Sequence, residues 1–469
     1  MSDLLRLEPI SPRNAPPAPT QPAAGPTPGV LPEFRIDYQR LRHTRSARVL
    51  RGALYRTLLG AGGWPLVFRA PQSPQEIPQG VSPHLYVHLP FCSQICPHCP
   101  YTKTLYKSDQ HRRYGQALLR EIEGYLARAD TLPVESLYFG GGTPTATPDL
   151  IERVIQAVRP FLVEGAEIGV EVHPADAERD LLQHLRDLGV TRVSLGIETF
   201  RPDLLKMLAR RYSPEQAEAA LRTAREIGFE CVDVNLLFGI PGQAETETAQ
   251  DARRCLELGV DQISAYQLFT FVHTPLGKRV RHGDFAVYGD RARLRAQKRL
   301  TQACQEGGLE RTSPWNFTRP GIAPYSTVTQ EDYVGFGAGA GSKVAGVFWF
   351  NTFSVPAYIE AEEPRPALVM QTDARFRRAH WLYWRLYRTV VDPAEYRQLF
   401  GRELQRDFGA SLRLMRLLGM IRREEERWRV TEFGAVWMHR FQQLFSITYI
   451  DDLWERCHTE AWPQEVVLA

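Results

Sequence analysis

The chain has 469 residues, 43% of them apolar, and a net charge of +3 from 57 basic and 54 acidic side chains spread along its length. That length predicts two or three domains with real cores, and the mixed charge offers no electrostatic argument for a nucleic-acid partner. No apolar run approaches the roughly 18 to 20 residues that span a bilayer, the start has no signal-peptide core, and the seven cysteines do not form a secreted disulfide framework. The expected compartment is the cytoplasm.

Residues 1–32 are rich in Pro, Ala and Thr and read as a disordered leader without function. Residues 33–80 form an N-terminal helical and extended segment. An Arg-rich helical pattern runs from Tyr38 to Leu59, and Pro65, Pro71, Pro74 and Pro78 then break it.

Residues 81–310 open on the apolar strand Leu85–Leu89, followed at once by Cys92-Ser-Gln-Ile-Cys96-Pro-His-Cys99. Three thiolates at this spacing can hold three irons of a [4Fe-4S] cube and leave the fourth iron without a protein ligand. A structural zinc would want a fourth ligand, and His98 sits between two of the cysteines, badly set to turn inward with both. A disulfide would leave one thiol over. The open-iron cluster is the preferred reading, to be confirmed by its context.

Strand-length and helix-length runs then alternate. Helix Tyr114–Ala127 leads to Ser136–Phe139, helix Asp149–Leu162 to Ile168–Val172, and helix Glu178–Leu188 to Arg192–Leu195. Helix Pro214–Ile227 leads to Val232–Phe238, and helix Ala249–Glu257 to Gln262–Tyr266. Such repetition predicts an α/β fold: a parallel sheet covered by helices, closed or partial as a (β/α) barrel, with the loops after the strands gathered on one face. The second strand ends in Gly140-Gly-Gly-Thr143, where bare backbone lets another molecule approach the main chain. A plain turn explains a lone glycine triplet, but this one follows the cysteine loop by one βα unit.

After Pro275 the regularity weakens. A helix around Arg291–Gln305 precedes residues 311–370, a connecting region with Trp315, Tyr325 and the glycine-rich Tyr333–Ser342. Residues 371–469 are expected to form a helical, winged-helix-like domain, with helix Ser411–Leu418, a hairpin over Met420–Val430 and helix Glu432–Phe445. Glu424, Glu425 and Glu426 stand at the turn, where a DNA phosphate would want Lys or Arg, so a lid or packing role is favoured.

With these pieces in order, the sequence resembles the radical S-adenosylmethionine (SAM) superfamily. The match is to the branch of oxygen-independent coproporphyrinogen III oxidase, its heme-chaperone relatives and the class C radical SAM methyltransferases. It is carried by Tyr86-Val-His-Leu-Pro-Phe-Cys, the cysteine triad, Phe139-Gly-Gly-Gly-Thr-Pro-Thr, Glu171-Val-His-Pro, Ser194-Leu-Gly-Ile-Glu-Thr-Phe and Val234-Asn-Leu-Leu-Phe-Gly-Ile-Pro-Gly-Gln. Ser264-Ala-Tyr-Gln-Leu and Asp332-Tyr-Val-Gly-Phe-Gly follow in the same order.

The resemblance implies a [4Fe-4S] cluster on Cys92, Cys96 and Cys99, whose open iron binds SAM, and reductive cleavage to methionine and a 5′-deoxyadenosyl radical. It sets Tyr101 beside the adenine, gives Gly141 and Gly142 to the methionyl amine, and has Tyr86, Glu171 and Arg210 help hold the cofactor. A second SAM per active site is implied at Gly142, Thr143, Glu198 and Asn235. Tyr266 and Glu198 are the catalytic candidates, with Gln267 and Tyr333 also placed to reach substrate. His88 and His173 read as hydrogen-bonded structural residues at strand ends. Phe269, Phe271, Trp315, Phe348, Trp349 and Phe350 are candidates for lining a pocket, though core packing explains most such residues.

Departures from the pattern steer the reaction. Tyr101 stands where the oxidases have a fourth cysteine, Glu198 and Asn235 replace their Gln and Asp, and the stretch before the glycine-rich loop lacks the chaperones' His and Trp. The expected reaction is therefore class C methylation of an sp2 carbon in a flat, partly apolar aromatic, quinone or heteroaromatic substrate. The alternatives are oxidative decarboxylation of a porphyrinogen propionate and, further off, heme carriage. The expected partners are that small molecule and an electron donor such as flavodoxin or ferredoxin, with no nucleic acid.

Overall fold

Strand β1 (Leu66–Arg69) is followed by β2 (His84–Leu89), the two-residue strands β3 (Phe91–Cys92) and β4 (Thr104–Leu105), and helix α1 (Ser108–Leu126). The next units are β5 (Val134–Gly141) with α2 (Pro148–Val158), β6 (Leu162–Val172) with α3 (Arg179–Asp187), and β7 (Arg192–Glu198) with α4 (Pro202–Met207) and α5 (Pro214–Ile227). Strand β8 (Cys231–Phe238), α6 (Glu247–Glu257) and β9 (Gln262–Gln267) complete the series. The computed structural model describes residues 65–71, 75–78, 80–127, 132–271, 273–285, 288–324 and 329–468, with residue 290 and residues 440–451 described by backbone alone. The leader, the helix expected at Tyr38–Leu59 and Tyr325 lie outside the described residues.

One alternation organises the six parallel strands from β2 to β9. Leu85, Val87 and Leu89, Leu137 and Phe139, Val193 and Leu195, Val232 and Val234, and Ile263 and Ala265 all belong to the main apolar core that the helices cover. The residues between them are polar or glycine and pair across strands: His84 with Ser136, Tyr86 with Tyr138, Ser194 with Asp233, and Asn235 with Ser264. Side chains on a strand point alternately to opposite faces, so one face is greasy and the other polar. The polar face is the concave interior. Its floor holds Arg192, almost wholly buried, which donates to Glu167 Oε2 at 2.9 Å and Cys231 Sγ at 2.8 Å.

Local chemistry sets the helix ends. In α5, Ser213 and Gln216 form a reciprocal capping box ahead of Pro214, and Gly228 ends the helix in left-handed backbone at φ 82°.

Helices α7 (Pro275–His282) and α8 (Asp290–Glu306) lead to β10 (Glu310–Arg311) and β11 (Asn316–Thr318), and β11 runs antiparallel beside β9. The glycine-rich stretch supplies strands: β12 (Tyr333–Phe336) lies parallel against β2, and β13 (Gly341–Val344), β14 (Val347–Phe350) and, after α9 (Val355–Glu360), β15 (Leu368–Gln371) continue outward. Among the described residues the sheet has 14 strands, ending at β10 on one side and, through β1, at β19 (Glu465–Leu468) on the other. It is a partial barrel extended by antiparallel strands.

Helix α10 (Ala374–Tyr387), β16 (Val390–Val391), α11 (Pro393–Phe400), α12 (Leu404–Leu417), β17 (Ile421–Glu424) and β18 (Arg427–Val430) have the element order of a winged helix. Their own core contains Trp381, Tyr396, Leu412 and Trp428. Helix α13 (Glu432–Thr459) is longer than the sequence pattern suggests and runs back over the barrel before β19 pairs with β1.

Candidate functional site

The cysteine loop leaves the C-terminal end of β2 and is fastened to the glycine triplet behind it. Gly142 N–H donates to Leu89 O at 2.8 Å and Thr143 N–H to Phe91 O at 2.8 Å. A Cβ on Gly142 would stand 2.7–2.9 Å from main-chain atoms of Pro90 and Phe91, so only glycine allows this closeness. Gly141 has φ 117° and its N–H donates to Glu171 Oε2 at 3.3 Å. The triplet thus holds the loop and is more than bare backbone.

None of the three thiols is in a disulfide. Burial raises all three pKa values, Cys92 to about 11, with the Thr143 hydroxyl bonded to Cys92 pulling the other way. Cys92 feels the charge of Cys99 and Cys96, and Cys96 feels Arg210 and Glu198, so the triad is one electrostatic group facing that ion pair. Thiols that feel one another's charge and stay protonated without a cation are a donor set for iron. Lys103, which the sequence reading passed over, donates to Cys99 O at 2.8 Å and Tyr101 O at 3.0 Å and braces the loop.

Across the cleft, β7 ends in a bulge where Glu198 adopts φ 61°, and its carboxylate meets the guanidinium of Arg210. Arg210 Nε is buried and has no hydrogen-bond partner. A buried, unsatisfied guanidinium N–H is rare and points to an acceptor supplied by a ligand. On β6, Glu171 is raised to about 7, by burial first, with the Gly141 N–H opposing and Asp233 and Glu198 adding to the rise. A carboxyl so poised favours a cation as neighbour. Three thiols, bare backbone, an orphan guanidinium N–H and a raised carboxyl together fit a cluster-bound amino acid such as the methionyl end of SAM.

Tyr101 and Tyr266 retain 52% and 36% of their surface although protein surrounds both phenols, so they border an enclosed cleft. Tyr266 packs against Trp315 at 5.9 Å. Tyr86 Oη lies 3.1 Å from His88 Nδ1, while His88 Nε2 bonds Thr102 O at 2.8 Å. Burial holds His88 neutral, lowering its pKa to about 4 against the opposing pull of the Thr102 carbonyl, and the ring is a structural residue. His173 caps the turn after β6 by accepting from Ala175 N–H at 3.2 Å.

Asn235 reaches the site through partners the sequence reading missed. Its Nδ2 donates to Ser194 Oγ at 3.1 Å, Ser194 donates to Asp233 Oδ2 at 2.7 Å, and Ser264 donates to Asp233 Oδ1 at 2.9 Å. The signal was present as polar residues alternating with Val232, Val234 and Leu236 on β8.

Other expected residues lie elsewhere. Tyr333 pairs with His84 at the start of β2, the opposite end of the parallel strands from the cysteines. Gln267 falls on the outward side of the alternation and is buried, 3.3 Å from His439 Nε2. Phe348 and Phe350 pack with Leu66, Phe68 and Phe376 in a separate core, and Trp349 is buried in the main one, so this trio lines no part of the cleft. Helix α13 does reach the loop: Trp454 packs on Tyr101 at 5.8 Å, and His458 stacks on His273 at 5.4 Å.

Comparison with known proteins agrees with this geometry. The model of the radical SAM superfamily matches residues 86–255. The heme chaperone HemW of Bacillus subtilis (strain 168) is 26% identical over 373 residues, 75% of this chain and 96% of that protein. HemW of Mycobacterium tuberculosis (strain ATCC 25618 / H37Rv) is 30% identical over 310 residues, 63% of this chain and 79% of that protein. Among solved structures, coproporphyrinogen III oxidase (HemN) from Escherichia coli, a radical SAM enzyme, aligns with a TM-score of 0.66 at 25% identity over 78% of this chain and 91% of that one. These relatives overturn the expectation of class C methylation, because the proteins matched over most of their length are heme chaperones and a porphyrinogen oxidase. The expectation gave weight to single departures, Tyr101 and Asn235 among them, that matches over 75% and 78% of this chain outweigh.

Proposed function

The chain belongs to the radical SAM superfamily, in its oxygen-independent coproporphyrinogen III oxidase-like branch, and from that premise we propose that it is a SAM-cleaving enzyme acting oxidatively on a tetrapyrrole. The reaction class is loss of carbon dioxide from a propionate side chain of a porphyrinogen, leaving a vinyl group. The observation that carries this reading is the match to the Escherichia coli oxidase over 91% of its length, with the cysteine loop at the mouth of a polar barrel.

In this reading Cys92, Cys96 and Cys99 hold the cluster. When bound, cluster and SAM supply a 5′-deoxyadenosyl radical able to take a hydrogen atom from carbon. The chain's residues arrange the encounter. Glu171 and the backbone of Gly141 and Gly142 receive the methionyl ammonium, Arg210 Nε takes its carboxylate, and Tyr86, two strands from Glu171, lies with it over Gly140 of the strand between them. Tyr101 and Tyr266 flank the cleft where adenine and substrate would lie, with Tyr266 as the residue nearest chemistry. Gly142, Thr143, Glu198 and Asn235 are the positions for a second SAM. The seven cysteines, all free, support a reducing compartment such as the cytoplasm, and the electron would come from a reduced flavodoxin or ferredoxin.

A second reading, heme carriage, is favoured by the Bacillus subtilis chaperone, matched over 96% of its length, and by Tyr101 where the oxidases have cysteine. One experiment separates the two. Reconstituted protein given dithionite, SAM and a porphyrinogen should release 5′-deoxyadenosine and carbon dioxide without S-adenosylhomocysteine. A strong Soret band on adding heme, with little 5′-deoxyadenosine, would instead select the carrier.

A further inference from the structure

Six of the eleven large apolar side chains exposed among the described residues lie between positions 399 and 437. Five of them sit at two helix ends that meet. Leu414, Leu417 and Leu418 are 56%, 84% and 55% exposed at the end of α12, and Phe433 and Trp437 are 53% and 44% exposed in the first turns of α13. The two helix ends are tied together: Thr431 N–H donates to Met420 O at 3.0 Å and its hydroxyl to Gly419 O at 2.7 Å. The rings of Phe433 and Trp437 lie 6.1 Å apart.

The opposite flank of the exposed arc of α12 is basic. Arg406, Arg413 and Arg416 are exposed, and no carboxylate pairs with them among the described residues. Their neighbours are different: Arg397, Arg402, Arg422, Arg423, Arg427 and Arg429 each hold a carboxylate. The domain neutralises its arginines nearly everywhere except beside the bare leucines.

We propose that this face of the C-terminal domain docks on an anionic lipid surface. Guanidinium groups would meet headgroup phosphates while the leucines, Phe433 and Trp437 enter the boundary between headgroups and acyl chains, the pattern of interfacial helices. DNA fits less well. A duplex would satisfy the arginines but offer the exposed leucines no apolar medium, and the wing turn would bring Glu424, Glu425 and Glu426 to its phosphates. Attachment would be peripheral, since no helix among the described residues is long and apolar enough to cross a membrane. The inference stands apart from the reaction proposed above, yet α13 links the two. The helix carries Trp437 at the patch and Trp454 on Tyr101 of the cysteine loop, about 26 Å apart along its axis at ~1.5 Å per residue.

The test is flotation of the full-length protein with phosphatidylcholine vesicles, with and without phosphatidylglycerol, at low and high salt. The protein should float with the anionic vesicles at low salt only. Brominated acyl chains should quench its tryptophan fluorescence, and less so in Trp437→Phe. Leu417→Glu/Leu418→Glu and Arg413→Glu/Arg416→Glu should each lower partitioning by about tenfold or more. Both pairs of changes are on the surface, and unchanged circular dichroism and reconstituted-cluster absorbance would show the variants folded. Wild-type protein that does not float, or folded variants that float equally well, would overturn the proposal. So would these residues proving necessary instead for duplex DNA retention or for self-association, without vesicle binding.

Discussion

Glu198 ends its strand in left-handed backbone, and its carboxylate meets the guanidinium of Arg210 in a buried ion pair that faces Cys96. A non-glycine residue at positive φ costs roughly 1–3 kcal/mol and persists where its surroundings hold it. The bulge turns the carboxylate toward Arg210 while Arg210 Nε stays buried without a hydrogen-bond partner.

Removing one partner of this pair should hurt more than the pair helps. Glu198→Gln leaves a buried guanidinium uncompensated and should lower unfolding free energy in urea by about 3 kcal/mol. Arg210→Lys keeps the charge but loses the fork, and should weaken SAM binding about tenfold or more by calorimetry with little change in stability.

Glu171 gives the site a pH dependence. Burial raises its carboxyl to about 7, so the folded protein holds this proton more tightly than the unfolded chain does. The stability it contributes is complete below the ordinary carboxyl pKa and is lost as pH rises toward about 7. Binding of a cation such as the SAM ammonium runs the other way. SAM affinity should rise between about pH 6 and 8, with proton release on binding, and Glu171→Gln should flatten the profile and weaken binding at the upper end.

Gly142→Ala would drive a Cβ to 2.7–2.9 Å from the backbone of Pro90 and Phe91, which cannot yield as a side chain can. A loss of roughly 1–3 kcal/mol is expected, with less iron and sulfide retained on reconstitution. Gly124→Ala, in open space on α1, should stabilise by up to about 1 kcal/mol and leave cluster content unchanged.

Asp233→Ala should strand the hydroxyls of Ser194 and Ser264 inside the barrel, costing about 2–4 kcal/mol in urea titrations, while Asp233→Asn should cost less. Because Ser194 holds Asn235, both variants should also change binding of a second SAM.

Cys92→Ala, Cys96→Ala and Cys99→Ala should each abolish SAM cleavage and the visible absorbance of the reconstituted cluster. Turnover at the wild-type level in any of them would contradict the assignment of the triad.

Much of the fold was legible because its signals are local. The cysteine spacing, the glycine triplet and the strand–helix alternation each sit within a short window, and four of the six parallel strands were delimited to within two residues at each end; β6 begins earlier, at Leu162 rather than Ile168, and β7 runs on to Glu198 rather than ending at Leu195. What the sequence reading passed over was part of the polar half of these strands. Read as apolar runs, β7 and β8 hide Ser194 and Asp233, the partners of Asn235, although every second position announces them.

By itself the sequence determined the chemistry of the donors, the order of the elements and the end of the sheet at which the loops gather, because each follows from side-chain type and from periodicities of a few residues. Only the tertiary structure decided which face of the sheet is the interior, that Tyr333 and Gln267 lie away from the cleft, that Arg210 keeps a free N–H, and that β19 closes on β1. Those outcomes depend on strand register and on contacts between residues far apart in the chain. Such contacts are selected by the packing of the whole core, and no local window contains them.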